Sequence, residues 1–343
     1  QRTGSDWYEQ SGGVVEIAAR LGNIFVEDIA TSAKTGRSND GEGNAGNSGS
    51  VTITAGVDIS TGLIDTSSTT LGDISGNGGA VSLVASRNLS TGAVTTDSVA
   101  DSNSAEAGLI ELKARTVDVE GGLSSLSVDS GERVYGNSNR VLLTGDIVRF
   151  GDGADSVRGA SVNVAALDTS RNIDIGSSSN SGLALSITDA EIAAIDRNAT
   201  GLFIGKGSTG TVQLNSSVTS ASSSSRVPIN IEGAQTLIGA NESTTYEIKG
   251  QNLVNIIGSG DASTRLLDSA NIRAGNGDDI FKITPGVNIS RFGEISGGEG
   301  ANVLDYRDFT VGLNLSLSGL SGLKVLAPNN VGQINRLTGI DAD

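Results

Sequence analysis

Short apolar residues return at nearly fixed intervals along this chain. Val15-Glu16-Ile17-Ala18, Val51-Thr52-Ile53-Thr54, Val81-Ser82-Leu83-Val84 and Ile110-Glu111-Leu112-Lys113 each alternate inward-type and outward-type residues. That period of two marks a strand with one buried face. A second short apolar pair follows each of them, at Asn23-Ile24, Asp58-Ile59, Asn88-Leu89 and Thr116-Val117. A third follows at Ile29-Ala30, Ile64-Asp65, Val94-Thr95 and, more loosely, Leu123-Ser124. Val51 to Val81 and Ile59 to Leu89 are identical steps, and Val81 to Ile110 is shorter by a single position. The first step, Val15 to Val51, is longer, with the excess in a Gly/Asn/Ser segment near Thr35 to Asn47.

A repeat of this length whose units cannot bury an apolar face alone predicts a stacked architecture. The pattern predicts an all-β fold: a right-handed parallel β-helix with coils of about 30 residues and three short strands per coil. Val15, Val51 and Val81 should then form one interior column, and Ile17, Ile53 and Leu83 another. A β-sandwich is the competing reading. It would favour aromatic core residues and Asn-Gly hairpins, and both cues are scarce here.

The period weakens from Val141 to Gly182, although strands are still expected around Val141-Leu142-Leu143, Ser161 to Val164 and Asn172 to Ile175. Thr188 followed three residues later by Glu191 has capping-box spacing, which predicts one short helix near 189–196. Strands are expected again at Leu202-Phe203-Ile204 and Thr211 to Leu214. The Ser-rich run 216–225 reads as a loop or boundary. The expected division is therefore a parallel β-helix over 1–225 and a further solenoid or β-roll over 226–343.

Composition sharpens this picture. The chain has 48 Gly, 3 Pro and only 3% aromatic residues, so its core must be built from Val, Ile, Leu and Ala. A formal net charge of −16 argues against a nucleic-acid phosphate binder and against adsorption to anionic lipid. No apolar run is long enough to cross a bilayer as a helix. The sequence starts at Gln1 and contains no Met, which reads as a piece of something longer. It has no His and no Cys, so Ser-His-Asp and Cys-His catalysis and imidazole or thiolate zinc sites are excluded. Thr52 and Thr54 suggest an ordered Thr face. The column is broken by Glu16, Ser82, Glu111 and Lys113, so these are outward β formers.

Two resemblances bear on function. The combination Thr188-Asp189-Ala190-Glu191-Ile192, Leu202-Phe203-Ile204-Gly205 and Gly210-Thr211-Val212 resembles segments of filamentous-haemagglutinin-like large bacterial exoproteins, of the kind found in cyanobacteria. Asp58-Ile59-Ser60-Thr61-Gly62 and Asn88-Leu89-Ser90-Thr91-Gly92 are similar to repeats of the same class. Near the C-terminus, Ala274-Gly275-Asn276-Gly277-Asp278-Asp279-Ile280-Phe281-Lys282 resembles one RTX nonapeptide. Gly297-Gly298-Glu299-Gly300-Ala301-Asn302-Val303-Leu304-Asp305 resembles another, with Asn302 where that motif has Asp. The second resemblance implies an RTX-like β-roll and Ca²⁺ held by turn carbonyls with Asp278, Asp279 and Asp305. Against calcium, the two motifs, starting at Ala274 and Gly297, do not follow one another directly, and Asn302 removes a charge.

The resulting expectation is a secreted structural or adhesive surface protein, extracellular or on the cell surface, with no catalysis. It would associate end to end with itself, because open solenoid ends are strand templates. Its outer face would meet a host or neighbouring cell surface or a polysaccharide, with no nucleic acid and no membrane insertion. The alternative is a β-helix enzyme, a lyase or glycosidase that cleaves polysaccharide with paired carboxylates.

Overall fold

The computed structural model describes residues 11–35, 44–70, 74–134, 139–151, 153–177, 183–215, 218, 227–233, 236–248, 253–258, 264–267, 271–285, 294–308, 313–316, 320–321, 324–326 and 334–338. The inserted Gly/Asn/Ser segment near Thr35 to Asn47 and the Ser-rich run 216–225 lie mostly outside the described residues. Two compact units are present. One is Gln1–Leu167 with Ala190–Leu202; the other is Asp168–Asp189 with Phe203–Asp343.

The first unit is a parallel β-solenoid, as its period predicts. Val15–Ala19, Val51–Ala55, Val81–Ala85, Ile110–Lys113, Arg140–Thr144 and Ser161–Ala165 pair in parallel, one per coil. The register places Val15, Val51, Val81, Ile110, Val141 and Val162 in one column and Ile17, Ile53, Leu83, Leu112, Leu143 and Val164 in the next. From Val51 onward these side chains are almost wholly buried. Each such residue removed from water contributes roughly 1.5–3 kcal/mol. A second sheet stacks Ile24, Ile59, Leu89, Val117 and Val148, and a third stacks Ile29, Ile64, Val94, Leu123 and Val157.

Each of the first four coils carries a fourth strand, which the apolar pattern does not reveal: Ala33–Thr35, Ser68–Thr70, Ser98–Ala100 and Ser127–Asp129. Its first inward positions are Ala33, Ser68, Ser98 and Ser127, all buried. A buried hydroxyl needs a partner, and for Ser68 and Ser98 the partner is the backbone of the glycine-rich return. They donate to the carbonyls of Gly46 and Gly76 at 2.9 and 3.0 Å. One corner earlier, Thr31, Thr66 and Thr96 donate to Gly49, Gly79 and Gly108 at 2.5, 2.5 and 2.6 Å, and Ser125 donates to Gly108 at 2.7 Å. The amides of Gly49, Gly79 and Gly108 donate in return to the carbonyls of Thr31, Thr66 and Thr96. These glycines also lie directly over one another: a Cβ on Gly79 would collide with the Gly49 carbonyl, and one on Gly108 with the Gly79 carbonyl. Glycine is required here by close backbone approach rather than by unusual torsion angles.

The fourth sheet ends in a hairpin. Ser127–Asp129 pairs antiparallel with Glu132–Val134 across Ser130 and Gly131, both in the left-handed region at φ 50° and 79°. That turn matches the twist of the flanking strands. Arg133 on this hairpin forms an ion pair with Asp196, which is buried and also accepts hydrogen bonds from the amide and side chain of Asn198. The helix spans Asp189–Ala194, with Ile192 and Ala194 buried. It stops short of the expected limit because Ile195 turns to extended pairing with Val157, and Asp196 N–H bonds to the Val157 carbonyl.

In the second unit, one parallel sheet runs through Leu185–Thr188, Ile173–Ser177, Thr211–Leu214, Thr236–Ile238, Asn271–Arg273, Glu294–Ser296 and Leu320–Ser321. A second sheet contains the parallel set Thr245–Ile248, Ile280–Ile283, Val303–Asp305 and Lys324–Leu326, and Leu313–Ser316 pairs separately with Ile334–Thr338. The second sheet is not uniformly parallel. Leu253–Ile257 inserts antiparallel between Thr245–Ile248 and Thr264–Leu267.

This packing sets two expectations for stability. Gly79→Ala should cost about 2 kcal/mol or more in denaturant unfolding, whereas Gly22→Ala, with nothing near its Cβ position, should stay within about 0.5 kcal/mol of the parent. Arg133→Leu should cost about 3 kcal/mol, because it leaves the Asp196 carboxylate buried without its cation. An unchanged midpoint for either Gly79→Ala or Arg133→Leu would contradict the packing described.

Candidate functional site

The glycine–aspartate turns of the second unit are the chain's best candidate for chemistry. The two nonapeptide-like segments fall in successive coils. Ile280 pairs with Val303, Phe281 with Leu304 and Lys282 with Asp305, so the spacing between the two motifs is one full coil. A third turn, 239–248, stacks on the other side of 274–283: Thr245 pairs with Ile280 and Tyr246 with Phe281. That turn lacks the motif and was not legible as its equivalent. Tyr246 and Phe281 stack at 4.8 Å between ring centroids and 11° between planes. Burial drives the Tyr246 phenol pKa upward, and the nearby Asp279 adds to the shift.

Three glycines of these turns are favoured by backbone conformation. Gly277, Gly298 and Gly300 have φ of 147°, 70° and 105°, where a side chain is strained. With those turns set, polar side chains tie one coil to the next. Asn276 N–H donates to Asn241 Oδ1, Asp278 N–H to Ser243 Oγ, and Ala301 N–H to Asp278 Oδ1 at 2.8 Å. Inside the turn lies the column Thr244–Asp279–Asn302. Thr244 N–H donates to Asp279 Oδ1 at 2.8 Å, and Asp279 N–H donates to Asn302 Oδ1 at 2.9 Å. The Asn302 amide then donates to the carbonyls of Gly298, Glu299 and Gly300 at 3.3, 3.4 and 3.3 Å.

Asp279 occupies the equivalent place one coil earlier, but it carries a carboxyl. It is fully buried, and its Oδ2 has no partner. Burial pushes its pKa up to about 6, with the Asp278 charge adding to the rise and the Thr244 N–H opposing it. Asp305 is in a different situation. Arg307 grips both its oxygens, at 2.9 and 2.6 Å, and holds the carboxyl below its ordinary range.

The three sequence-derived ligands are therefore not gathered around one point. Asp278 caps a backbone amide, Asp279 faces the interior, and Asp305 is neutralised by Arg307. Calcium needs six to eight oxygens, several of them charged. In the second turn the carbonyls that would serve a cation already accept from Asn302. Among the described residues no group of three or more acidic side chains is placed to hold a metal. The residues present do not fit a calcium ion of the nonapeptide type.

The same capping recurs in the first unit, at positions the sequence reading did not single out as sites. Asp58 accepts from the Asn88 amide and pairs with Arg87, which lowers its pKa. Asp97 accepts from Leu126 N–H and Ser124 Oγ, while burial raises its pKa. Gly258-Ser259-Gly260-Asp261 lacks the Lys-Ser/Thr that a phosphate loop requires, and it lies mostly outside the described residues. No family model, no curated protein and no solved structure matches the chain.

Asp279 gives a pH test with a definite sign. Its pKa is higher folded than unfolded, so the folded state binds the extra proton. Its contribution is fully present below about pH 4 and is lost as the pH rises through about 6. Asp279→Asn should therefore raise stability at pH 7.5 by roughly 2 kcal/mol and leave it nearly unchanged at pH 4. Equal effects at both pH values would contradict the assignment. Thermal melts with added calcium and with chelator should coincide, and a calcium-dependent rise in the midpoint would refute the misfit.

Proposed function

We propose that this chain is a structural, adhesive stretch of β-solenoid displayed outside the cell, with no catalytic centre. One observation carries the reading: the carboxylates that might have done chemistry are used to hold the fold together. Asp58, Asp97 and Asp278 cap amides of the following coil, Asp65 pairs with Lys34, Asp196 with Arg133, and Asp305 with Arg307. Hydrolysis of a glycosidic bond needs two free carboxyl groups at a set separation across a cleft. The resemblance to filamentous-haemagglutinin-like exoproteins is the reason for placing the chain at a cell surface. Its partners would be a neighbouring or host cell surface, or a polysaccharide, met by outward residues of the sheets.

Two assays separate this from the polysaccharide-cleaving alternative. The purified chain should be retained on cells or immobilised polysaccharide while releasing no reducing ends or unsaturated products from acidic polysaccharides. Product release that is lost on replacing an acidic side chain would overturn the reading. Failure to bind any cell or glycan surface would remove its adhesive part.

A further inference from the structure

Among the described residues, the coil Val15–Thr35 is stacked on only one side. Its four strands each stand at the end of a sheet, and their paired neighbours lie in the coil that begins at Val51. Val15 N–H donates to the Ser50 carbonyl, so the alternating amides of Glu16 and Ala18 face the other way. The inward side chains record the same asymmetry. Val15, Ile17 and Ala19 are half-buried, whereas Val51 and Ile53, in the same columns, are 0% exposed.

The chemistry of this face follows from the interfaces above it. At six corners of the first unit an Asn or Asp side-chain oxygen accepts the backbone N–H of the next coil: Asn23 from Asp58, Asp28 from Leu63, Asp58 from Asn88, Asn47 from Asn77, Asn77 from Glu106, and Asp97 from Leu126. In all six the acceptor belongs to the earlier coil. The stack is therefore polar along its length. Its later face offers Asn and Asp oxygens, and its earlier face offers backbone N–H groups, here those of Asn23 and Asp28.

We propose that this earlier face is an interaction surface for one more parallel β-coil of the same four-strand gauge, bearing Asn or Asp at its corners. This rests on the solenoid reading above and identifies the kind of partner. A second copy of the chain, joined end to end, fits less well. The step from Val15 to Val51 carries four strands. The last described step of the second unit, Val303 to Lys324, is much shorter and carries three: Val303–Asp305, Leu313–Ser316 and Leu320–Ser321. A face of that smaller gauge leaves part of the four-strand coil uncovered.

The test is backbone amide exchange on the full chain, with Leu83 and Leu112 as internal monitors of folding. Glu16, Ala18 and Asn23 should exchange fast at every protein concentration, while Ile17 is slow. A second copy of residues 49–78 inserted between Gly12 and Gly13 continues the glycine column and supplies another Asp58. It should slow Glu16, Ala18 and Asn23 by at least about tenfold. Replacing only the inserted Asp58 by Ala should restore fast exchange at Asn23 and leave Glu16 and Ala18 slow. The proposal is overturned if the three amides are already slow in dilute unmodified chain, which would mean its own residues cover the face. It is equally overturned if they slow only as concentration rises, which would make a second copy the occupant, or if the insertion leaves them fast. None of these readouts depends on adhesion, so the two readings fail separately.

Discussion

Coil must lie over coil in register, because a coil of about 30 residues is too narrow to satisfy itself. Its apolar residues cover each other only when stacked, and its parallel strands find their hydrogen-bond partners one coil away. This one constraint accounts for the columns Val51–Val81–Ile110 and Ile53–Leu83–Leu112. It also accounts for the polar half of the interior. Thr66, Thr96 and Ser98 are buried because their hydroxyls close hydrogen bonds to glycine carbonyls that the narrow cross-section brings within 3.0 Å. Gly79 and Gly108 cannot carry a side chain, because each return runs directly over the last.

The apolar half of this arrangement was legible. Val15, Val51, Val81 and Ile110 announce their column by spacing alone, and so do Ile24, Ile59, Leu89 and Val117. The fourth strand was not, because Ser68, Ser98 and Ser127 carry no hydrophobic signal. A signal existed all the same: Thr66 to Thr96 and Ser68 to Ser98 repeat at the same step as Val51 to Val81. Hydroxyl residues that keep the period of the core are core residues. The antiparallel strand Leu253–Ile257 left no such mark, since an alternating strand reads the same in either direction.

The candidate site was legible in position and not in chemistry. The Gly-Asp turns at 274–282 and 297–305 do stack, and Gly277 and Gly300 do adopt torsion angles that favour glycine. A turn motif cannot reveal whether its oxygens converge on a cation or on the next coil's amides. That was decided by Asn302, whose amide occupies three carbonyls, and by Arg307, which neutralises Asp305. Asn302 reads in the sequence as a lost charge; it is equally a gained donor. The acidic composition then takes on a structural meaning, since Asn and Asp at the corners of the first unit give its stack a direction.

In-register stacking can be tested most directly by cross-linking, since the chain has no cysteine of its own. Thr52, Ser82 and Glu111 occupy one outward column in three successive coils. Neighbouring coils lie about 4.8 Å apart, within disulfide reach, and alternate coils about 9.6 Å apart, beyond it. The variant with Thr52→Cys and Ser82→Cys should oxidise to an intramolecular disulfide under mild conditions, while the variant with Thr52→Cys and Glu111→Cys should stay reduced. Equal oxidation of both pairs, or bridging of the Thr52–Glu111 pair alone, would contradict the stacked-coil account.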